Sequence, residues 1–274
     1  MRLATWNINS LNIRLPHVID WLNQKIHHDL GIDVLCLQEL KTPDNKYPLS
    51  IISDAGYDSL FNGQKTYNGV AILIRQQSHW QLANAIIKNI PKFDDPQQRV
   101  IAATLGSGPF SVRIICAYFP NGQAPGTEKF SYKLAWLEAL YNWLAEEIQH
   151  YPRLALLGDF NIAPEDRDVH DPQQWLGQNL VSPEERLAFK KLAALGLHDA
   201  FRLFAQEENV FSWWDYRQGA FRRNAGLRID HILLSSALVP LCQSCTIDRQ
   251  PRSWTQPSDH APVIATLRDE TLNI

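Results

Sequence analysis

The sequence has no apolar run that approaches the about 20 residues a transmembrane helix requires. Its amino terminus, Met1–Asn7, turns polar before the apolar segment of a signal peptide develops. We therefore expect a cytoplasmic protein without a membrane partner. Internal repeats, low-complexity tracts and a proline-rich or charged linker are missing as well, so we expect a single domain over residues 1–274.

Cysteine is scarce, with four residues in the chain. Cys36 and Cys116 lie in apolar runs, where a free thiol packs as a small hydrophobic group. Cys242 and Cys245 have the spacing of a zinc or redox pair, but zinc requires a second pair of ligands and none stands nearby. The nine histidines include no HExxH motif. A zinc site is therefore not expected.

An excess of charge of either sign is also missing, since 26 basic and 29 acidic residues leave a net charge of −3. Such a balance does not by itself indicate a nucleic-acid-binding protein. It does not exclude one either, because a DNA enzyme can place a basic rim around an acidic catalytic floor.

Short runs rich in β-branched residues recur along the chain, and turn residues separate them as they separate strands. Several runs are apolar throughout, which indicates strands covered on both faces. Apolar residues at helical spacing predict helices at Leu15–Ile26, Thr127–Gln149 and Glu184–Leu195. The predicted strands are Arg2–Asn7, Asp33–Leu37, Gly69–Ile74, Val100–Leu105, Ser111–Ala117, Arg153–Leu157, Ile229–Leu234 and Pro262–Leu267. This pattern favours an α/β protein with two sheets packed face to face and helices outside.

Polar residues follow or interrupt five of these apolar segments, at positions where a site would open. They are Asn7, Glu39, the pair Asp159 and Asn161, Asp230, and the pair Asp259 and His260. A carboxylate at a strand end is more often a cap or a turn residue. Five such features in one chain are harder to attribute to turns alone.

The chemistry that these residues can share is hydrolysis of a phosphodiester. Its transition state spreads negative charge over phosphate oxygens, so the enzyme has to supply positive charge and hydrogen-bond donors. Mg²⁺ suits this task because it takes oxygen ligands, and Glu39 is the best candidate, helped by Asn7 or Asp259. Asp159 can act as the base for an attacking water. Asp230 beside His260 can hold an imidazolium against the phosphate.

The motifs around these residues resemble, in type and order, those of the DNase I-like endonuclease/exonuclease/phosphatase superfamily. They are Trp6-Asn7, Gln38-Glu39, Tyr118-Phe119-Pro120-Asn121-Gly122, Gly158-Asp159-Phe160-Asn161 and Ser258-Asp259-His260-Ala261-Pro262. From about Met1 to about Arg268 the chain resembles the exonuclease III / AP endonuclease branch. The most specific segments are Phe211-Ser212-Trp213-Trp214-Asp215-Tyr216-Arg217 and Asn224-Ala225-Gly226-Leu227-Arg228-Ile229-Asp230. The resemblance implies a four-layer α/β sandwich of two mostly antiparallel sheets flanked by helices, with the active site at one rim.

The resemblance also implies roles for the residues that match the motifs. Asn7 and Glu39 would hold Mg²⁺, for which Mn²⁺ could substitute, and Asp259 would support the metal. Asp159 would activate the water. Asn161 and Tyr118 would position the phosphate, and Asp230 would pair with His260.

The implied partner is double-stranded DNA with an abasic site or a blocked 3′ end. Arg99 and Asn121 would contact its phosphates. Trp213, Leu227 and Ile229 would line the pocket that receives an extrahelical abasic sugar. The implied activities are incision at abasic sites, removal of 3′ phosphates and 3′→5′ exonuclease action, and the motifs do not rank them.

One position departs from the family pattern as we align it. His170 stands near a position where the typical exonuclease III pattern has glycine, which leaves space for a close approach of backbone or sugar. An imidazole there could crowd the abasic pocket and favour work at 3′ ends. The alternative is that His170 lies on a loop and points to solvent.

Three other interpretations are left open at this point. A phosphoinositide phosphatase of the same superfamily would carry a Trp-Cys-Asp-Arg motif, where this chain has Gly226-Leu227-Arg228-Ile229-Asp230-His231. A catalytically dead DNA-binding module would have lost one of Glu39, Asp159, Asp230 or His260, and all are present. An unrelated structural protein would require every motif to be a coincidence. No feature demands a dimer, so we expect a monomer.

Overall fold

A computed structural model describes residues 1–27, 30–106 and 110–269. The strands are β1 (Arg2–Asn7), β2 (Val34–Gln38), β3 (Tyr57–Asn62), β4 (Val70–Arg75), β5 (Ile87–Lys88), β6 (Val100–Leu105), β7 (Val112–Tyr118), β8 (Leu154–Asp159), β9 (Leu197–Asp199), β10 (Asp230–Ser235), β11 (Cys242–Ile247) and β12 (Val263–Leu267). The α-helices are α1 (Leu11–His27), α2 (Leu49–Asp54), α3 (Glu128–His150), α4 (Pro172–Trp175) and α5 (Pro183–Ala194).

The strands form two six-stranded sheets, one in the order β11-β12-β1-β2-β4-β3 and the other in the order β5-β6-β7-β8-β10-β9. Each sheet has one parallel pair, β1 with β2 and β7 with β8, and its other pairs are antiparallel. Parallel neighbours need a crossover, and helices α1 and α3 supply the two crossovers. The carboxyl ends of both parallel pairs lie at the same rim of the sandwich, where Asn7 at the end of β1 donates a hydrogen bond to Asp159 at the end of β8.

The apolar strands are covered on both faces, as their composition indicates. In β2, Val34 and Cys36 belong to the core between the sheets, whereas Leu35 and Leu37 pack against α1. In β7, Ile114 and Cys116 face the same central core, and Ile115 packs under α3. The layers are thus helix, sheet, sheet and helix. The α/β sandwich of two mostly antiparallel sheets is confirmed.

A helix N-terminus shows how local sequence fixes the outer layer. The Ser182 side chain accepts a hydrogen bond from the backbone N–H of Glu185, and the Glu185 side chain accepts one from the backbone N–H of Ser182. This pair of bonds is a capping box at the start of α5. Pro183 occupies the first turn, where its missing N–H costs no hydrogen bond. No helix in the described part of the chain is long and apolar enough to cross a membrane.

Strand β8 needs its glycine. A Cβ on Gly158 would lie 1.8 Å from the carbonyl oxygen of Ala117 in β7, far inside van der Waals contact. Gly158 pairs with Ala117 in the parallel register that also places Tyr118 opposite Asp159. The small residue therefore permits the close approach that aligns the ends of these strands.

The sequence pattern did not predict four strands, which are the edge strands of the two sheets: β3, β5, β9 and β11. The sequence of β11 is Cys-Gln-Ser-Cys-Thr-Ile, whose outward residues are polar, and it lies at the edge of its sheet. The sequence of β3, Tyr-Asp-Ser-Leu-Phe-Asn, is half polar, and β3 lies at the opposite edge of the same sheet. Edge strands bury less apolar surface than central ones, so they lack the apolar run that marks a strand.

Candidate active site

The site lies where the strand ends of the two sheets meet. Asn7 ends β1 and pairs with Gln38 at the end of β2, so that Glu39 follows immediately. In the second sheet Tyr118 ends β7 opposite Asp159, which ends β8. Asp230 begins the antiparallel strand β10 and is also paired with Asp159. Sheet register alone thus gathers these side chains at one rim.

Asn7 connects the two sheets across this rim. Its Nδ2 donates to Glu39 Oε1 at 2.8 Å and to Asp159 Oδ2 at 2.8 Å, while its Oδ1 accepts from the backbone N–H of Asn9 at 3.0 Å. Glu39 leaves β2 with a left-handed backbone (φ 54°), which turns its carboxylate towards Asn7 instead of continuing the strand. One amide therefore aligns carboxylates from both sheets.

Asp159 is buried, with 1 % of its surface exposed. Its Oδ1 accepts from the backbone N–H of Asn161 at 2.9 Å, and its Oδ2 faces the Asn161 amide at 3.3 Å as well as Asn7. Burial raises the pKa of Asp159 to about 7, with repulsion from Asp230 adding to the shift against the opposing pull of His260. A carboxyl with such a pKa is poised to take up and release a proton near neutral pH.

His260 forms an ion pair with Asp230. Its Nδ1 lies 2.9 Å from Asp230 Oδ2, and its Nε2 lies 3.7 Å from Asp159 Oδ2. Burial lowers the pKa of His260, but the charges of Asp230 and then Asp159 outweigh burial and raise it to about 10. The ring is therefore an imidazolium at neutral pH. Nδ1 donates to Asp230, whose Oδ2 also accepts from Ser212 Oγ at 2.6 Å.

The chemistry of the donor set is suited to a cation. Glu39, Asp159 and His260 each offer an atom such that all three atoms lie within 4.8 Å of one another. A protonated imidazole has no free lone pair, so the two carboxylates are the ligands available in this state. Oxygen ligands at a partly open rim suit a hard divalent cation, which keeps several waters. Glu39 is the more exposed of the two carboxylates and is therefore the candidate metal ligand, with Asp159 held beside it by Asn7.

Tyr118 and Arg99 border the carboxylates on one side. Burial, reinforced by the charges of Glu39 and Asp159, raises the pKa of the Tyr118 hydroxyl well above the usual range. The Arg99 guanidinium lies 4.8 Å from the centre of the Tyr118 ring and donates to its backbone carbonyl at 3.1 Å. Both residues and Asn121 line a cavity of about 790 Å³ with Lys129 at its wall. Asn121 and Lys129 thus face solvent beside the acidic cluster, whereas Arg99 is buried behind them with 8 % of its surface exposed.

The comparisons with known proteins identify the chain's relatives. The model of the Endonuclease/Exonuclease/phosphatase family matches residues 4–260. Exodeoxyribonuclease III of Haemophilus influenzae is 35 % identical over 98 % of this chain and 100 % of its own length. The chain belongs to this family, in its exonuclease III branch.

Solved structures agree with the assignment to the exonuclease III branch. The 3′ phosphatase NExo from Neisseria, solved with a product DNA hairpin, is 43 % identical with a TM-score of 0.89, over 98 % of this chain and 100 % of that one. An AP endonuclease from Archaeoglobus fulgidus is 33 % identical with a TM-score of 0.88, over 97 % of this chain and 99 % of that one. The family predicted from the motifs is confirmed.

The residues expected to form an abasic pocket occupy two different depths in this exonuclease III-branch protein. Leu227 is 0 % and Ile229 2 % exposed, and both belong to a small apolar cluster on which Trp213 packs. Trp213 and His170 lie above them and line a cavity of about 410 Å³. His170 is half-buried, and its Nδ1 lies 3.2 Å from the carbonyl of Gly226. The imidazole therefore lies at the wall of this cavity.

Asp259 lies to one side of the acidic cluster. Its carboxylate accepts from Trp213 Nε1 and from Asn9 Nδ2, each at 2.9 Å. Burial raises its pKa, but His260 and these two donors outweigh burial, and the pKa is lowered. Asp259 is therefore anionic and joins the site through Asn9.

Asn9 was not singled out from the sequence, and Lys41 was considered only as a residue that could steer DNA or have no role. Lys41 Nζ donates to Asn9 Oδ1 at 2.5 Å and lies 2.9 Å from Glu39 Oε2, so it links both groups. Both residues have a left-handed backbone, with φ 45° at Asn9 and 52° at Lys41. The available signal was the position of each, two residues after Asn7 and after Glu39 respectively.

Proposed function

We propose that this chain is a Mg²⁺-dependent DNA repair phosphodiesterase of the exonuclease III type that works chiefly at blocked 3′ ends. The observation that carries the proposal is the hydrogen-bonded cluster in which Asn7 joins Glu39 to Asp159, with Asp159 facing the imidazolium of His260. It combines anionic ligands, a base and a fixed cation within one rim. The names of the relatives, which include a nuclease and a 3′ phosphatase, supply DNA as the substrate.

Asp159 is the base in this proposal. It takes a proton from the attacking water, and its bonds from Asn7 and Asn161 hold the carboxylate in one orientation. With positive charge held at Glu39, the pKa of Asp159 falls below its value of about 7, so the base is ionised at neutral pH.

Glu39 is the principal ligand for Mg²⁺, with Asn7 aligned beside it and Asp259 supporting the arrangement through Asn9. When bound, the ion supplies positive charge to the phosphate oxygens as negative charge develops on them. Mn²⁺ accepts the same oxygen ligands and is expected to substitute.

Donors surround the place where the phosphate would lie. The imidazolium of His260 is kept charged by Asp230 and offers Nε2–H towards the reacting centre. Asn161 and Tyr118 position the scissile phosphate from the end of the second sheet. Asn121 and Arg99, at the wall of the larger cavity, contact neighbouring phosphates of the DNA backbone.

His170 sets the preference for 3′ ends in this proposal. With Leu227 and Ile229 buried, an abasic sugar would have to enter between Trp213 and His170, where the imidazole takes up space. A terminal 3′ phosphate needs no such pocket. The 43 % identical relative described as a 3′ phosphatase is in keeping with this preference.

The test uses two duplexes with the purified protein and Mg²⁺, one with an internal abasic-site analogue and one with a 3′ phosphate at a nick. We expect release of phosphate from the second at a rate at least tenfold above incision of the first. Asp159→Asn and EDTA should each abolish both. Faster incision of the abasic duplex would overturn the preference for 3′ ends. Full activity in EDTA would overturn the metal-dependent mechanism.

We propose further that the protein acts as one domain, as a monomer and in the cytoplasm. The shared core between the sheets, to which both the first and the last strands contribute, supports the single domain. Light scattering during gel filtration should give a mass near the 31.3 kDa of one chain.

A further inference from the structure

Lys133 is a buried lysine on α3 behind the rim, with 0 % of its surface exposed. Its stem passes beside Gly122, where a Cβ would lie 2.9 Å from Lys133 Cδ. Gly122 also has a left-handed backbone (φ 87°), which favours glycine. The loop after β7 is therefore shaped to admit this side chain.

Each of the three N–H donors of the Lys133 ammonium has an acceptor. It donates to the carbonyl of Asn161 at 2.7 Å, to the carbonyl of Asn121 at 3.1 Å and to the carboxylate of Glu185. Glu185, also 0 % exposed, accepts in addition from Leu180 N and from Ser182. The buried charges are thus paired, and the hydrogen-bonding capacity of the ammonium is fully used.

A buried ion pair is a poor device for stability alone, since removing two charges from water costs several kcal/mol and apolar residues of similar volume often do as well. What an apolar residue cannot do is bind two carbonyls. Those carbonyls belong to the two asparagines that the proposed function assigns to phosphate.

Asn161 shows why its carbonyl has to be held. Its backbone is left-handed (φ 50°), a conformation that costs free energy in a non-glycine residue. Asp159 Oδ1 accepts from its N–H at 2.9 Å, and Lys133 binds its carbonyl from the other side. Between these anchors the Asn161 side chain donates to Phe119 O at 3.1 Å and accepts from Asn121 Nδ2 at 3.0 Å.

We propose that Lys133 is a positioning residue that fixes the amides of Asn121 and Asn161 through their backbone carbonyls, so that both are set for the phosphate before DNA binds. The inference rests on the proposed function, because it acts through the residues assigned there. Loss of the ammonium leaves both asparagines in place but free to reorient, so the turnover rate suffers more than binding.

The test is Lys133→Met, which keeps the unbranched stem and removes the donors. On the 3′-phosphate duplex we expect kcat to fall roughly 10- to 100-fold, the size of effect that follows a misplacement of about 1 Å, while KM changes less than about threefold. Arg113→Met is the matched control, since it breaks a buried ion pair with Glu147 on the same helix, remote from the rim. Its kcat should stay within twofold of wild type.

Lys133→Met leaves the buried carboxylate of Glu185 without its cation. If this variant does not fold, the double variant Lys133→Met with Glu185→Gln is used instead, because it removes both charges. Circular dichroism establishes that the protein assayed is folded. A folded variant with unchanged kcat, or with a change in KM alone, would overturn the role of Lys133. Failure of the proposed function can be distinguished from failure of this inference, because in that case the wild-type protein itself would not remove the 3′ phosphate.

Discussion

The pairing of Asp230 with His260 predicts a pH-dependent loss of stability in Asp230→Asn. The substitution keeps the size of a side chain that is 0 % exposed but removes the charge that does most to raise the pKa of His260. In the absence of the carboxylate only Asp159 and Asp259 oppose the effect of burial, so the pKa of the imidazole is lower and the ring loses its proton at a lower pH. The favourable interaction of the imidazolium with its surroundings disappears with the proton.

The size and sign follow from the pKa of His260, which is about 10 in the folded protein against an ordinary 6.5. A raised pKa contributes stability that is complete below pH 6.5 and is lost as the pH rises through 10. Each pH unit between these values removes about 1.4 kcal/mol. Between pH 7 and pH 9 the wild type therefore loses up to about 2.5 kcal/mol of this contribution. Asp230→Asn loses less stability over this pH range, because the charge that does most to raise the pKa of His260 is absent.

The assay is thermal unfolding followed by circular dichroism at pH 7 and pH 9, in EDTA so that no cation enters the site. We expect the Tm penalty of Asp230→Asn to be larger at pH 7 than at pH 9 by up to roughly 5–10 °C, given about 2–4 °C per kcal/mol for a chain of this size. Asp248→Asn is the control, since its carboxylate bonds to Trp21 and Lys25 and pairs with no imidazole among the described residues. Equal penalties at the two pH values would refute the imidazolium.

Three further substitutions test other parts of the structure. His170→Gly should raise incision of the abasic duplex at least tenfold without altering 3′-phosphate removal; unchanged incision would remove His170 from specificity. Gly158→Ala should cost more than about 4 kcal/mol or prevent folding, because its Cβ would lie 1.8 Å from the carbonyl oxygen of Ala117. A Tm within a few degrees of wild type would contradict this. Arg228→Met should cost roughly 3–5 kcal/mol in urea unfolding, since it removes a buried guanidinium that pairs with both Asp168 and Asp199 and leaves Asp168 with Arg202 alone. A loss under about 1 kcal/mol would show that this pair is dispensable.

Much of the fold was predictable because its central strands are apolar on both faces. Strands β1 and β6 have the predicted bounds, and the other predicted strands differ by one or two residues at an end. Edge strands such as β3 and β11 were not predictable in this way, because one side of each faces no neighbouring strand and polar residues are tolerated. Helix α1 begins at Leu11, four residues before the predicted start, since its first turn carries polar residues between the apolar ones.

The candidate site was predictable to the extent that short motifs carry it. Those motifs name Asn7, Glu39 and Asp159, but no local pattern indicates that the Asn7 amide joins the two carboxylates across the sheets. Lys133 was hidden for another reason. A lysine on a helix ordinarily lies on the solvated face, and its burial follows only from the loop at Gly122 and the carboxylate of Glu185.

The order of strands in the first sheet has a consequence for the nascent protein. Strand β1 pairs with β12, so β1 is synthesised long before the strand that becomes its antiparallel neighbour. His260 and Asp259 arrive only just before β12 does. A ribosome-bound chain that already has Asn7, Glu39 and Asp159 therefore still lacks the imidazolium of His260, and the site can be completed only after β12 has been synthesised.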